Sequence, residues 1–118
     1  MKTRNLIIGK LGEEIAVQYL IEKNYKILDR NYKISFAEID IIALDGDTIA
    51  IIEVKTRKNF IAAEASGAVN FKKQERLRKA AKNYIMIKRL YDYNLRFDVI
   101  ECYWDLNKIN HIKDAFRG

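Results

Sequence analysis

Apolar side chains along this chain recur first at helical and then at strand spacing. Between Leu6 and Lys23, the residues Ile8, Ile15, Ala16, Tyr19 and Leu20 return at helical intervals, and Asn24 is the kind of residue that ends a helix. Tyr25 to Tyr32 reads as a strand, Phe36 to Leu44 as a second and strongly β-branched one, and Thr48 to Thr56 as a third. Asp45-Gly46-Asp47 is a hairpin turn signal between the last two. Arg57 to Asn70 carries no period and is expected to be irregular. Phe71 to Leu90 is a long helix with Leu77, Ala81, Tyr84, Ile85 and Lys88 on one face, and Leu95 to Tyr103 is a fourth strand. The tail, Ile109 to Phe116, adds a short strand or a helical turn. Ile39 and Ile41 alternate with Ile42 and Leu44, so the middle strands are apolar on both faces and belong at the centre of a sheet with a helix on each side. The pattern predicts an α/β sandwich in the order helix, three strands, helix, strand.

Two acids and a lysine interrupt the apolar central pair: Glu38-Ile39-Asp40-Ile41-Ile42, then Ile51-Ile52-Glu53-Val54-Lys55. Side chains alternate along a strand, so Glu53 and Lys55 share a face. The hairpin register decides whether Asp40 joins them. With Gly46-Asp47 as a two-residue loop, Asp40 stands opposite Glu53. With Asp45-Gly46 as the loop, Asp40 opposes Ile51 and Glu53 is its diagonal neighbour on the same face. A three-residue loop without a bulge separates the acids onto opposite faces. Two carboxylates at close range repel, and a divalent cation resolves the conflict. Hard oxygen donors suit Mg²⁺, with Mn²⁺ as an alternative, and such an ion activates water toward phosphorus. Lys55 is placed to orient that water or to neutralise charge on a phosphate. Asp40, Glu53 and Lys55 are therefore candidates for a phosphodiester-hydrolysis site. The competing reading is a set of salt-bridged surface residues.

Composition narrows the remaining choices. A length of 118 residues fits one domain, 1–118, able to bury a core without staples. No apolar run approaches a membrane span, and the N-terminal apolar patch is too short for a secretory signal, so a cytoplasmic location with no membrane partner is expected. Cys102 is the only cysteine and lies in a strand, where it reads as a small buried hydrophobe. His111, the only histidine, has no partner pattern and is expected to be structural. This argues against Ser/His/Asp and Cys/His catalysts and zinc sites, and no Gly-x-Gly-x-x-Gly or Walker-type motif is present.

The net charge is +6, from 22 Lys+Arg against 16 Asp+Glu. Its distribution is uneven: Lys72, Lys73, Arg76, Arg78, Lys79, Lys82, Lys88 and Arg89 face one acid, Glu75, in the second helix, and Lys55, Arg57 and Lys58 form another cluster. Basic surface beside clustered acids is what a nucleic-acid-binding face around a cation site requires. Arg57, Lys58, Lys72, Lys73, Arg76 and Lys79 are the candidate phosphate contacts. Glu13 borders the apolar face of the first helix, three residues before Ala16, and is within reach of the sheet. Gln74, three residues before Leu77, turns inward as either a site residue or a capping amide. Gly9 and Gly12 each cost about 1 kcal/mol of helix stability relative to alanine and permit close approach of the sheet or of a phosphate chain.

Gly9-Lys10-Leu11-Gly12-Glu13-Glu14-Ile15-Ala16, Phe36-Ala37-Glu38-Ile39-Asp40-Ile41-Ile42-Ala43, Ile52-Glu53-Val54-Lys55-Thr56-Arg57, Lys73-Gln74-Glu75-Arg76-Leu77, Arg96-Phe97-Asp98-Val99 and His111-Ile112-Lys113-Asp114-Ala115-Phe116 stand in register over nearly the whole chain. Together they resemble the YraN-type family of small bacterial proteins predicted to be endonucleases. Ala37 stands where that family usually has glycine. The family is similar in its core to the PD-(D/E)xK nucleases, and most of all to archaeal Holliday-junction resolvases. The resemblance implies a restriction-endonuclease-like sandwich, a central mixed sheet flanked by helices with core order αβββαβ. It implies Asp40, Glu53 and Glu13 as metal ligands, Lys55 as the catalytic lysine and Gln74 as a further site residue. The function it implies is a Mg²⁺-dependent DNA endonuclease selective for junction or branched DNA. A nuclease acting on RNA and a catalytically silent nucleic-acid-binding or adaptor protein of the same fold are the alternatives. A homodimer follows only by analogy with the resolvases.

Overall fold

The computed structural model describes residues 2–58, 69–105 and 107–118. Helix α1 (Lys2–Glu22) leads into strands β1 (Lys26–Ile34), β2 (Ala37–Asp45) and β3 (Thr48–Arg57). Helix α2 (Phe71–Lys88) follows, then β4 (Asn94–Tyr103) and β5 (Lys108–Phe116). Of the segment expected to be irregular between β3 and α2, residues 59–68 lie outside the described residues.

Local chemistry sets the helix ends. Asn24 adopts a left-handed φ of 68° while the Tyr25 N–H donates to the Leu20 carbonyl and the Asn24 N–H to that of Ile21, a Schellman ending that satisfies two orphan carbonyls. At the start of α2 the Asn70 side chain accepts from the Lys73 N–H at 2.9 Å. No helix among the described residues is long and apolar enough to cross a membrane.

The sheet runs β1-β2-β3-β4-β5, with β3 and β4 parallel and every other neighbouring pair antiparallel. Among the described residues, each face carries one helix. Ala16, Val17 and Leu20 of α1 pack with Ile41, Ala43, Ala50, Ile52 and Ile100. Leu77, Ala80, Ala81 and Tyr84 of α2 pack with Ile42, Ile49, Ile51, Phe97 and Val99. This is an α/β fold consistent with a restriction-endonuclease-like sandwich. The tail resolves into a full fifth strand whose outer residues are mostly exposed, so its apolar signal is weak. Ile15, expected on the buried face of α1, is instead 48% exposed; Ala16 and Val17 take the inward direction.

A buried polar network ties the far ends of the chain to β4. Asp98, 1% exposed, receives Arg96 Nε at 2.8 Å and the Asp114 N–H at 3.0 Å, and its Oδ2 lies 2.8 Å from His111 Nε2. His111 Nδ1 is in turn 3.0 Å from the Tyr19 hydroxyl, which matches the structural role expected for this histidine. Burial alone would raise the Asp98 carboxyl, but the bonds from His111, Arg96 and the Asp114 N–H outweigh it and hold Asp98 below the ordinary carboxylate range.

Candidate active site

The hairpin register is the one with Gly46-Asp47 as the loop. Asp45 pairs with Thr48, and Gly46 takes φ +61°, as the first loop residue of a type II′ turn must. Counting back, the pairs run to Ile41↔Ile52 and stop one step before Asp40 and Glu53 would meet. There β2 leaves β3. The Val54 N–H, with no β2 carbonyl to meet it, donates to Asp40 Oδ2 at 2.8 Å. The face alternation of β2 also breaks at this level, since Ile39 packs with the α2-side core although Ile41 and Ala43 lie under α1. Beyond this point β3 continues against β4 alone, from Glu53↔Val99 to Arg57↔Tyr103.

The parting of the strands opens a cleft of about 500 Å³, whose walls include Glu13, Asp40, Glu53, Lys55, Lys58 and Trp104. Glu13 reaches it because α1 lies unusually close to β3. A Cβ on Gly12 would collide with Thr56 Oγ1, so only glycine permits this approach. Gly9 has open space around it and needs no such explanation. Asn31, held at φ 51° abreast of Asp40 in β1, turns its terminal amide to two acceptors, Glu13 Oε1 at 2.8 Å and Glu38 Oε1 at 3.2 Å, which assigns the nitrogen to that side.

Glu53 is the electrostatic centre. It is 7% exposed, and no hydrogen-bond donor among the described residues reaches its Oε2; Lys73 Nζ stands 3.5 Å away. Burial first, and then the charge and hydrogen bonding of Asp40, push its carboxyl up to about 7, against the pull of Lys73 and Lys55. Glu13 is raised as well, by burial and then by Asp40 and Glu38, with Arg30 and Lys10 opposing. In both groups burial is the largest cause, and the charge of Asp40 adds to it against the pull of the nearby cations.

Other expected site residues are placed differently. Gln74 gives Nε2 to the Val69 carbonyl at 2.9 Å and accepts from Arg78 Nη2 at 3.1 Å, so its amide braces the start of α2 and does not line the cleft. Arg57 is 8% exposed, with Nε 3.0 Å from Glu101 Oε2; burial beside that carboxylate turns its guanidinium away from the solvent-facing role expected of it. Lys73 turns inward to Glu53, whereas Lys58, Lys72, Arg76 and Lys79 are exposed. Cys102 is buried, donates to the Gly12 carbonyl, and burial pushes its thiol up to about 11. Asn31 and Trp104 escaped the sequence reading, Asn31 because its backbone conformation has no sequence period and Trp104 because it lies just past a strand end.

Among the described residues, no three His, Cys, Asp or Glu side chains form a ready-made metal cage. The donors that fit a divalent cation are Asp40 and Glu53, with Glu13 on the facing wall. All are hard oxygen ligands, and the open Oε2 of Glu53 is the acceptor a cation would satisfy.

Comparison with known proteins agrees with the motif pattern. The model of the uncharacterised protein family UPF0102 matches residues 12–102. A UPF0102 protein of Clostridium botulinum (strain Eklund 17B / Type B) is 48% identical over 121 residues, covering 99% of each chain. One from Alkaliphilus oremlandii is 47% identical over 116 residues, covering 95% of this chain and 99% of its own. One from Caldanaerobacter subterraneus is 43% identical over 120 residues, covering 98% of each. With the cleft motifs inside the matched region and relatives aligned from end to end, this chain belongs to the UPF0102 family, the YraN-type group.

Proposed function

We propose that this protein is a Mg²⁺-dependent endonuclease that hydrolyses phosphodiester bonds in branched or junction DNA. The observation that carries the reading is the buried Glu53 carboxylate beside Asp40, its Oε2 without a hydrogen bond among the described residues and 3.5 Å from the Lys73 ammonium, in a cleft that also presents Lys55. Pure binding of a polyanion has no use for two mutually repelling carboxylates inside a basic surface.

Asp40, Glu53 and Glu13 would hold the cation, which when bound supplies an activated water and charge neutralisation at the phosphate. Asp40 does so from a fixed position, because the Val54 N–H anchors one of its two oxygens. Lys55 orients the attacking water or offsets charge on the phosphate oxygens. Water adds to phosphorus and gives up a proton to solvent, the opposite P–O bond breaks, and the departing oxygen takes a proton from solvent. Lys58 at the cleft and Lys72, Arg76 and Lys79 on α2 grip flanking phosphates.

The test is cleavage of labelled linear duplex, single strand, flap and four-way junction DNA, with matching RNA, in Mg²⁺ or Mn²⁺. Asp40→Asn and Glu53→Gln proteins run alongside. Cuts concentrated on branched DNA that vanish with chelator and in both variants support the proposal. Tight binding with no cleavage of any substrate would replace it with an adaptor role, and preferential cutting of RNA would replace the substrate.

A further inference from the structure

A second pocket, of about 370 Å³, adjoins the cleft and is of opposite character. Its walls are apolar: Leu11 and Ile15 of α1, 56% and 48% exposed, face Ile109 of β5 and Trp104, 43% exposed. The two cavities share Ile8, Thr56 and Trp104, so Trp104 is a common wall between the carboxylate cleft and the apolar pocket. Its position is fixed. The Trp104 N–H donates to the Arg57 carbonyl at 3.0 Å and the Asp105 N–H to that of Lys58 at 3.1 Å, which ties the turn after β4 to the end of β3. Lys58 thereby stands beside Trp104, and Asn107 and Lys108 add polar groups to the pocket.

We infer that this pocket receives an unpaired nucleobase of the substrate strand, stacked on Trp104, while the neighbouring phosphate lies in the carboxylate cleft; the inference rests on the nuclease reading. Three features select this occupant. The pocket is continuous with the candidate phosphate site through shared residues, so one strand can serve both. Lys58 and Lys108 match the negative charge of its backbone. An indole 43% exposed at the junction of the two cavities suits a base plane, and base–aromatic stacking tolerates any sequence, in keeping with a sequence that carries no base-reading motif. A fully paired duplex covers both faces of each base, so the pocket favours DNA with a nucleotide out of the stack at the cut position, as at a flap, bulge or branch point.

The experiment measures binding without divalent ions, using a duplex carrying one unpaired 2-aminopurine and the same duplex with an abasic site there. The full-length protein should bind the base-bearing DNA about tenfold more tightly and quench its fluorescence. Trp104→Ala should lose both effects and Trp104→Phe should keep them. Ile15→Glu, on an exposed position of α1 that leaves the sheet untouched, should also lose the preference. Equal affinity for the two DNAs in the wild type, or a preference that survives Trp104→Ala, overturns the inference even if the protein cuts DNA. A Trp104 substitution that changes only the oligomeric state overturns it in favour of a second copy as occupant. A Trp104-dependent preference without cleavage on any substrate upholds the base site while the nuclease reading falls.

Discussion

Replacing Glu53 by glutamine should make the protein more stable at alkaline pH. Glu53 titrates near pH 4.5 in the unfolded chain and is pushed up to about 7 in the folded one, chiefly by burial and then by Asp40. The sign follows. Below 4.5 the group is neutral in both states and imposes no penalty. Between 4.5 and about 7 the folded state holds a proton that the unfolded state has released, so stability falls as pH rises. Above 7 the folded protein carries an ionised, buried carboxylate at a cost of about 3 kcal/mol. Glu53→Gln removes that titration while keeping the shape. Urea unfolding of both proteins at intervals from pH 5 to 8 reads the effect of Glu53 together with its coupling to Asp40, because groups remote from Glu53 contribute equally to both. The variant's advantage should grow steadily with pH toward that magnitude. Millimolar Mg²⁺ should restore stability to the wild type at pH 8 and do little for Glu53→Gln, since a bound cation favours the ionised form. Asp40→Asn should flatten the wild-type slope in part. A difference between wild type and Glu53→Gln that stays constant from pH 5 to 8 would refute this account of the site's electrostatics.

Three further outcomes are expected. Gly12→Ala should destabilise the fold by about 1–2 kcal/mol, since forcing a methyl against Thr56 outweighs the gain in helix propensity; adding Thr56→Ala should recover much of the loss in urea unfolding. Asp98→Ala should cost about 3–5 kcal/mol in the same measurement, because Arg96, His111 and the Asp114 N–H lose their shared buried acceptor, and the wild type should lose the Asp98 contribution as pH falls through its depressed titration range. Combined Lys72→Ala, Arg76→Ala and Lys79→Ala should weaken DNA binding without altering substrate preference, and should reduce the slope of log affinity against log salt by about 0.9 for each phosphate that is no longer neutralised.

Patterns carried by neighbouring residues were legible in the sequence. The turn Asp45-Gly46-Asp47 limited the register to a few choices, and the structure takes the one with Gly46-Asp47 as the loop, although the pairing ends at Ile41 and Ile52, one step before Asp40 and Glu53. Gly12 signalled close packing through its helix cost alone. What depended on distant partners was not legible. Arg57 looked like a phosphate contact because Glu101, the carboxylate that claims it, lies on another strand. Gln74 had two readings until Val69 and Arg78 took up its amide. The fifth strand stood undecided beside a helical turn because an edge strand needs few apolar residues, and Asp114, at φ 54°, interrupts its regularity to give its N–H to Asp98.

The hydrogen bond from Val54 to Asp40 gives the two central acids different evolutionary prospects. Asp40 stands in for a missing backbone partner, so a relative without any catalysis would still need an acceptor there to keep β3 in place. Glu53 serves the fold in no such way, and its ionised form opposes folding above pH 7. Where no chemistry is selected, it is expected to drift to a neutral or apolar residue while the aspartate stays. Within a lineage of such proteins, the glutamate is therefore the residue whose retention signals a working site, and the aspartate alone signals only an intact scaffold.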